Sequence, residues 1–230
     1  MSERDRRSVA LAAGLGLALM LAVIVAAAGI RLETGIPGLR IVHRVAASLE
    51  VLVVLWLGWM AWRRRAVQLA IALTALLSVV GIVGGQSPPR EIAAINLAGG
   101  LALAAVFAWM LGKSGSEPDF RCISATAMGN RALTPIFLLL AVQLGLGAWL
   151  SIVERYSVAL PVHGLLAVAL TAALIWVARA RAVFLALALA APIAGFTALH
   201  FEYSAAAALA HAAAAALLLV SIAHALGRAA

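Results

Sequence analysis

Two histidines carry the chemistry this chain has to offer. His163 stands near the start of one long apolar segment and His211 near the start of another. Each segment then runs for a helix's length to a basic stop, Arg179-Ala180-Arg181 after the first and Gly227-Arg228 after the second. The first half of the chain repeats this layout with His43 and Asn96 at the matching places. Imidazole is the commonest metal-ligating side chain. With five histidines and one cysteine, Cys122, any metal site must rest on imidazole. A lone cysteine forms neither a thiolate cluster nor an intrachain disulfide.

The elements that position these residues follow from composition. The chain has 230 residues, 65% of them hydrophobic and only 11% charged, against about 25% charged in a soluble domain. Its mean hydropathy is +1.08. Repeated apolar runs of roughly 20 residues predict an all-α polytopic membrane protein. The runs are continuous in Ala, Leu and Val, which excludes the period-two strands of a β-barrel. The net charge of +8 sits in short loops, as the positive-inside rule requires, and does not point to nucleic acid. The run after Arg6-Arg7 is too long for a signal-peptide core and is read as a retained first span.

Eight spans can be drawn, at about 8–30, 41–62, 66–85, 92–111, 133–153, 161–177, 182–199 and 205–226. The longest polar stretch divides the chain into an N-terminal half (1–113), a linker (114–132) and a C-terminal half (133–230). With the N-terminus in the cytoplasm, 12 of the 17 basic residues fall on that side, and both termini are cytoplasmic. This is the arrangement of a multi-pass protein of the cell's inner (plasma) membrane.

The halves resemble each other in their polar landmarks. Val42-His43 and Val162-His163 open spans that end in Arg63-Arg64-Arg65-Ala66-Val67 and Arg179-Ala180-Arg181-Ala182-Val183. Asn96 stands 16 residues before Gly112-Lys113, and His211 stands 16 residues before Gly227-Arg228. The pattern reads as a duplicated four-helix unit, with a pseudo-two-fold axis along the membrane normal.

Depth then matters. His43, Asn96, His163 and His211 all fall in the outer leaflet, at the start of spans that enter from the non-cytoplasmic side. A heme iron held between two helices needs two facing imidazoles at one depth, and its flat macrocycle needs small neighbours. Gly164 and Ala212–Ala216 supply them. Two imidazoles leave iron no open position and favour electron transfer over oxygen chemistry. The plainer reading is a set of interfacial histidines bonded to backbone or loop groups.

These residues resemble the heme A synthase family. The likeness rests on His43-Arg44, the polar position at Asn96, His163, His211 and the Leu144-Gly145-Leu146-Gly147-Ala148 stretch. It covers nearly the whole chain. It implies eight spans in two halves, a heme b cofactor in the C-terminal half, and a heme O site in the N-terminal half where heme A is made for cytochrome oxidase assembly. The departures fall in one half. Arg40 stands where the family's Glu-x-x-His-Arg motif has its glutamate, and Asn96 stands where it has a histidine. The cofactor pair is intact and the catalytic pair is not.

Other polar residues take secondary places. Glu50 lies seven residues after His43, on the same helix face two turns deeper. It is a candidate proton-relay or quinone-site acid, or else a hydrogen-bonded packing acid. Gln143 is a candidate hydrogen-bonding partner inside a bundle. His200 is placed at a heme edge or at the interface, and His224 at the opposite interface. Arg44, Arg90 and Arg155 lie where heme propionates would emerge. Trp56, Trp59 and Trp62 form an aromatic belt. Nucleotide-binding and hydrolase motifs are absent from the chain.

The reading that follows is a heme b protein passing electrons between the membrane (its quinone pool) and an outer-face redox partner. It would sit in the lipid bilayer as part of a larger respiratory or dehydrogenase complex. His163 and His211 are its expected iron ligands. His43, Asn96, Arg44 and His200 are further cofactor-contact candidates, and Glu50 and His43 are catalytic ones. A heme A synthase with an atypical N-terminal half, and a non-heme membrane anchor or assembly factor, stay open beside it.

Overall fold

The computed structural model describes residues 3–32, 36–85, 88–114, 123–152, 159–177, 182–201 and 205–228. All described secondary structure is helical: α1 (Glu3–Arg31), α2 (Leu39–Ala61), α3 (Arg65–Gly84), α4 (Arg90–Ser114), α5 (Ile123–Ile152), α6 (Ala159–Val177), α7 (Ala182–His200) and α8 (Ala205–Arg228). Among the described residues, seven helices are long and apolar enough to cross a membrane. α7 is also apolar along its 19 residues.

Local chemistry sets the boundaries. Pro37-Gly38 stops the chain before α2, and Pro88-Pro89 stand before α4. At the turn from α2 to α3, Arg64 is extended (φ −87°, ψ 126°), and its carbonyl already accepts the Val67 N–H at 3.0 Å. The charged start of α1 is helical from Glu3, braced by the Glu3–Arg7 ion pair one turn apart. α5 begins at Ile123, inside the stretch that the sequence assigns to the linker. Its first turns carry the good helix formers Ala125, Ala127 and Met128.

The burial pattern is turned inside out relative to a soluble bundle. Large apolar side chains face outward, with Trp59 92%, Ile82 81% and Leu165 73% exposed. Many small ones face inward, among them Ala12, Ala13, Ala104, Ala108 and Ala216, beside a few large ones such as Phe107, Leu57 and Leu103. Helices in lipid associate through small residues that let backbones approach, since lipid satisfies a leucine as well as protein does.

Neighbour relations are cyclic in each half. α1 packs on α2, α2 on α3, α3 on α4, and α4 back on α1. α5 packs on α6, α6 on α7, α7 on α8, and α8 back on α5. Among the described residues, α2 does not pack on α4, nor α6 on α8. Between the two sets, α4 lies along α8, flanked by α1 on α8 and α4 on α5. On α4, α6 and α8 the buried residues lie towards the basic ends, whereas α1 is buried along its length to Gly29. On α4 the buried residues begin at Gly100, on α6 at Leu170 and on α8 at Ala215. None of residues 90–99, 160–169 or 205–214 is buried.

At the basic end α4 and α8 meet backbone to backbone. A Cβ added to Gly112 would run into the His224 carbonyl, and one added to Gly227 would run into the Trp109 carbonyl. The two clashes are reciprocal: each glycine faces the residue three positions before the other glycine. A branched side chain here must push two helices apart, and overpacking costs about 1–3 kcal/mol or more. Gly227→Val is expected to lower the melting temperature in detergent sharply. Gly81→Val, with nothing within 4 Å of the added Cβ, is expected to leave it near the parent value. Equal melting of the two variants would contradict the close crossing.

Candidate functional site

His163 lies in the first turns of α6, just after Pro161, which the start of a helix tolerates. His211 lies six residues into α8. Their backbones belong to helices that do not touch, and their rings close the gap. The ring centroids are 6.2 Å apart with planes at 77°. Two imidazoles bonded to one metal through bonds of about 2 Å have centroids about 6 Å apart. The separation is of that size, and Nδ1 is the unpartnered nitrogen of His163, its Nε2 lying 3.4 Å from the Gln143 amide.

Each imidazole is held by a neighbouring helix. The Nδ1–H of His211 donates to the Ala191 carbonyl on α7 at 2.7 Å. That bond fixes the tautomer and leaves Nε2 with its lone pair, the arrangement a metal-ligating histidine needs. His163 is engaged from α5 by Gln143, whose amide donates to the His163 carbonyl at 2.8 Å and lies 3.4 Å from its Nε2.

Glycines make the room. A Cβ on Gly147 would lie 2.9 Å from Cε1 of His163, and one on Gly195 would lie 2.9 Å from Nδ1 of His211. Both distances are shorter than real Cβ contacts. Gln143 and Gly147 are four residues apart on α5, and Ala191 and Gly195 are four apart on α7, so each pair shares a helix face. Each imidazole thus meets a hydrogen-bonding residue and, one turn on, a glycine. The sequence flags Gln143 and the Leu144–Ala148 stretch. It gives no sign of Gly195 or of the Ala191 carbonyl.

Pro192 shapes α7 at this level. It has no N–H, so the Ala188 carbonyl loses its helical donor. The Thr171 hydroxyl of α6, which donates to the Ala167 carbonyl of its own helix at 2.8 Å, lies 3.3 Å from that carbonyl as a shared, longer contact.

Two buried polar atoms at the pair lack a hydrogen-bond partner, Nδ1 of His163 and Oε1 of Gln143. Buried polar atoms are normally satisfied. The donor set also discriminates between ligands. Among the described residues no three His, Cys, Asp or Glu side chains gather as a metal cluster. A zinc site built from protein needs three or four such ligands. Two facing imidazoles suit an iron whose remaining donors belong to a macrocycle. Heme fits the residues present in that respect; residues 160–169 and 205–214 are not buried, while Gln143, Ala148, Ala191 and Ala198 are buried on the flanking helices.

The other predicted residues are dispersed. His43 is half-buried, and its Nδ1–H donates to the Val23 carbonyl of α1 at 3.3 Å. Asn96 is half-buried on α4, and no hydrogen bond joins it to His43. Arg40 and Arg44 are exposed. His200 is exposed, stacked on Phe196 at 6.1 Å and edge-on to Phe201 at 5.1 Å. Glu50 is buried, and the Thr74 hydroxyl of α3 donates to its Oε1 at 3.1 Å. His224 sits at the opposite end, beside the α4–α8 crossing. Arg155 and Cys122 lie outside the described residues.

No protein-family model matches the chain, and no curated protein is significantly similar to it.

The hydrogen bond to Ala191 makes a direct prediction. In ¹⁵N-histidine spectra of the purified protein without added ligand, His211 is expected to appear as the Nδ1–H tautomer. A dominant Nε2–H tautomer would contradict the geometry.

Proposed function

We propose that this chain is a heme b-binding membrane protein of electron transfer, with His163 and His211 as the axial ligands. The observation that carries the reading is the 6.2 Å separation of the two imidazoles on helices that do not themselves pack together. Heme bound there would supply one-electron chemistry, and two imidazoles would close its iron to oxygen. The chain's own residues do the rest. Ala191 holds the His211 tautomer, Gln143 engages His163, and Gly147 and Gly195 keep the rings in place.

The same reading takes the eight helices as spans in two tandem four-helix bundles derived by duplication, with both termini cytoplasmic. The cyclic neighbour relations and the reciprocal crossing at Gly112 and Gly227 support it. So do the matched bonds from α2 to α1 and between α6 and α5, each spanning 20 residues. In the N-terminal half, Asn96 replaces the second imidazole, and Ala27 and Val79 stand at the places matched to Gly147 and Gly195. That half is therefore read as lacking a bis-imidazole site. Electrons would pass between the membrane's quinone pool and an outer-face partner within a respiratory or dehydrogenase complex of the inner membrane. The resemblance to heme A synthases enters as a likeness of layout, with the synthetic step lost along with the motif glutamate at Arg40.

Purified protein is expected to give a pyridine hemochrome of heme b and a low-spin spectrum. His163→Ala and His211→Ala are each expected to lose at least nine-tenths of the heme, and His43→Ala to keep it. Full heme retention in either of the first two would overturn the ligand assignment. Accumulation of heme A in a heme O-producing host would replace this reading with that of a synthase. Fluorescent-protein fusions at either terminus are expected to fluoresce, as cytoplasmic fusions do; a dark C-terminal fusion with a bright N-terminal one would break the eight-span count.

A further inference from the structure

A long apolar groove runs down the face where α3, α4, α5 and α8 meet, away from the histidines. Its volume is about 620 Å³, within the range of about 300–1,000 Å³ for ligand pockets. The floor is cut by small residues, Ala98, Ala102, Ala105 and Gly145, and Leu69 and Phe137 wall it. Ala102 and Leu69 are exposed, so the groove opens to the surface that lipid would cover. Along α4 it extends from Trp109 to Ala98, which at 1.5 Å per residue is about 16 Å. One leaflet of hydrocarbon is about 15 Å deep, half of the core thickness.

Its ends differ in charge. Arg65 lines one end, in the Arg63-Arg64-Arg65 run and at the same end of the molecule as Lys113 and Arg228. At the other end a smaller cavity of about 280 Å³ shares Ala98 and Gly145 and continues to Glu91. An anionic head group would be drawn to the arginine end and repelled from the glutamate end, with its chain running between them.

We propose that this groove is a binding site for one anionic phospholipid, its phosphate at Arg65 and one acyl chain along the alanine floor of α4. The lipid wedges between the two sets of helices on the side where α4 packs on α5. It is independent of heme, since its lining shares no residue with the imidazole pair.

The test is native mass spectrometry of the full chain in a mild detergent, after equilibration with phosphatidylglycerol or phosphatidylcholine. One phosphatidylglycerol per chain is expected to stay bound. Arg65→Gln is expected to lower its occupancy about fivefold, the factor that one basic residue supplies near an anionic surface. Ala102→Phe, at an exposed lining position, is expected to abolish retention while helix content by circular dichroism is unchanged. Arg65→Gln lies outside the core and decides the matter if Ala102→Phe does not fold. Equal retention of phosphatidylcholine, absence of bound lipid, unchanged occupancy in Arg65→Gln, or a neutral isoprenoid in the lipid's place would each overturn the proposal.

Discussion

The meeting of α4 and α8 at Gly112 and Gly227 is the contact on which the arrangement depends. There main chain rests on main chain, with no side chain between. Helices in lipid gain little from hiding leucine, so close approach of small residues must do the holding. From that crossing the buried stretch runs along α4 to Gly100 and along α8 to Ala215 and stops. His211 lies 16 residues from Gly227, about 24 Å along the helix. One end of α8 is therefore fixed by packing and the other is left to polar bonds and ring contacts. Firm packing and chemistry occupy opposite ends of the same helix.

The imidazole pair shows how such an end is ordered without a packed core. Four helices contribute, two with rings and two with a hydrogen-bonding group and a glycine one turn apart. The constraint is local and directional. Ala191 fixes which nitrogen of His211 carries the proton, and Gly195 fixes how close the ring lies to α7. Because α6 and α8 do not pack on each other, the space between them is governed by what the two rings meet. A bundle closed by leucines at this level would leave no such axis.

Much of the architecture was legible from the chain because charge marks the limits of apolar slabs. The eight helical segments and their basic stops follow from where arginines, prolines and glycines interrupt Ala and Leu. The pair His163 and His211 was legible because a histidine inside an apolar run is rare and must have a reason. The start of α5 at Ile123 was not, since the polar linker hides helix formers among charges. Gly195 and the Ala191 carbonyl were not legible for a deeper reason. α7 is apolar all round, so a period of 3.6 does not tell its inner face from its outer one. A carbonyl carries no sequence signature, and one glycine among alanines and leucines carries almost none. The separation of His43 from Asn96 in the hydrogen-bond pattern was likewise invisible, because two polar landmarks at one depth say nothing about which way their side chains turn.

Pro192 bears on how the molecule is made. By removing an N–H it leaves α7 with a main-chain acceptor that its own helix cannot satisfy. The nearest side-chain donor is the Thr171 hydroxyl on α6, shared with the Ala167 carbonyl and preceding α7 in the chain, while the Ala191 carbonyl accepts from His211 on α8, which follows it. A lone α7 in hydrocarbon would carry that unmet carbonyl at a cost of several kcal/mol. Its place among the helices is therefore tied to α6, which precedes it in the chain, and the ring of His211 takes its orientation only once α8 has followed α7 into the bundle.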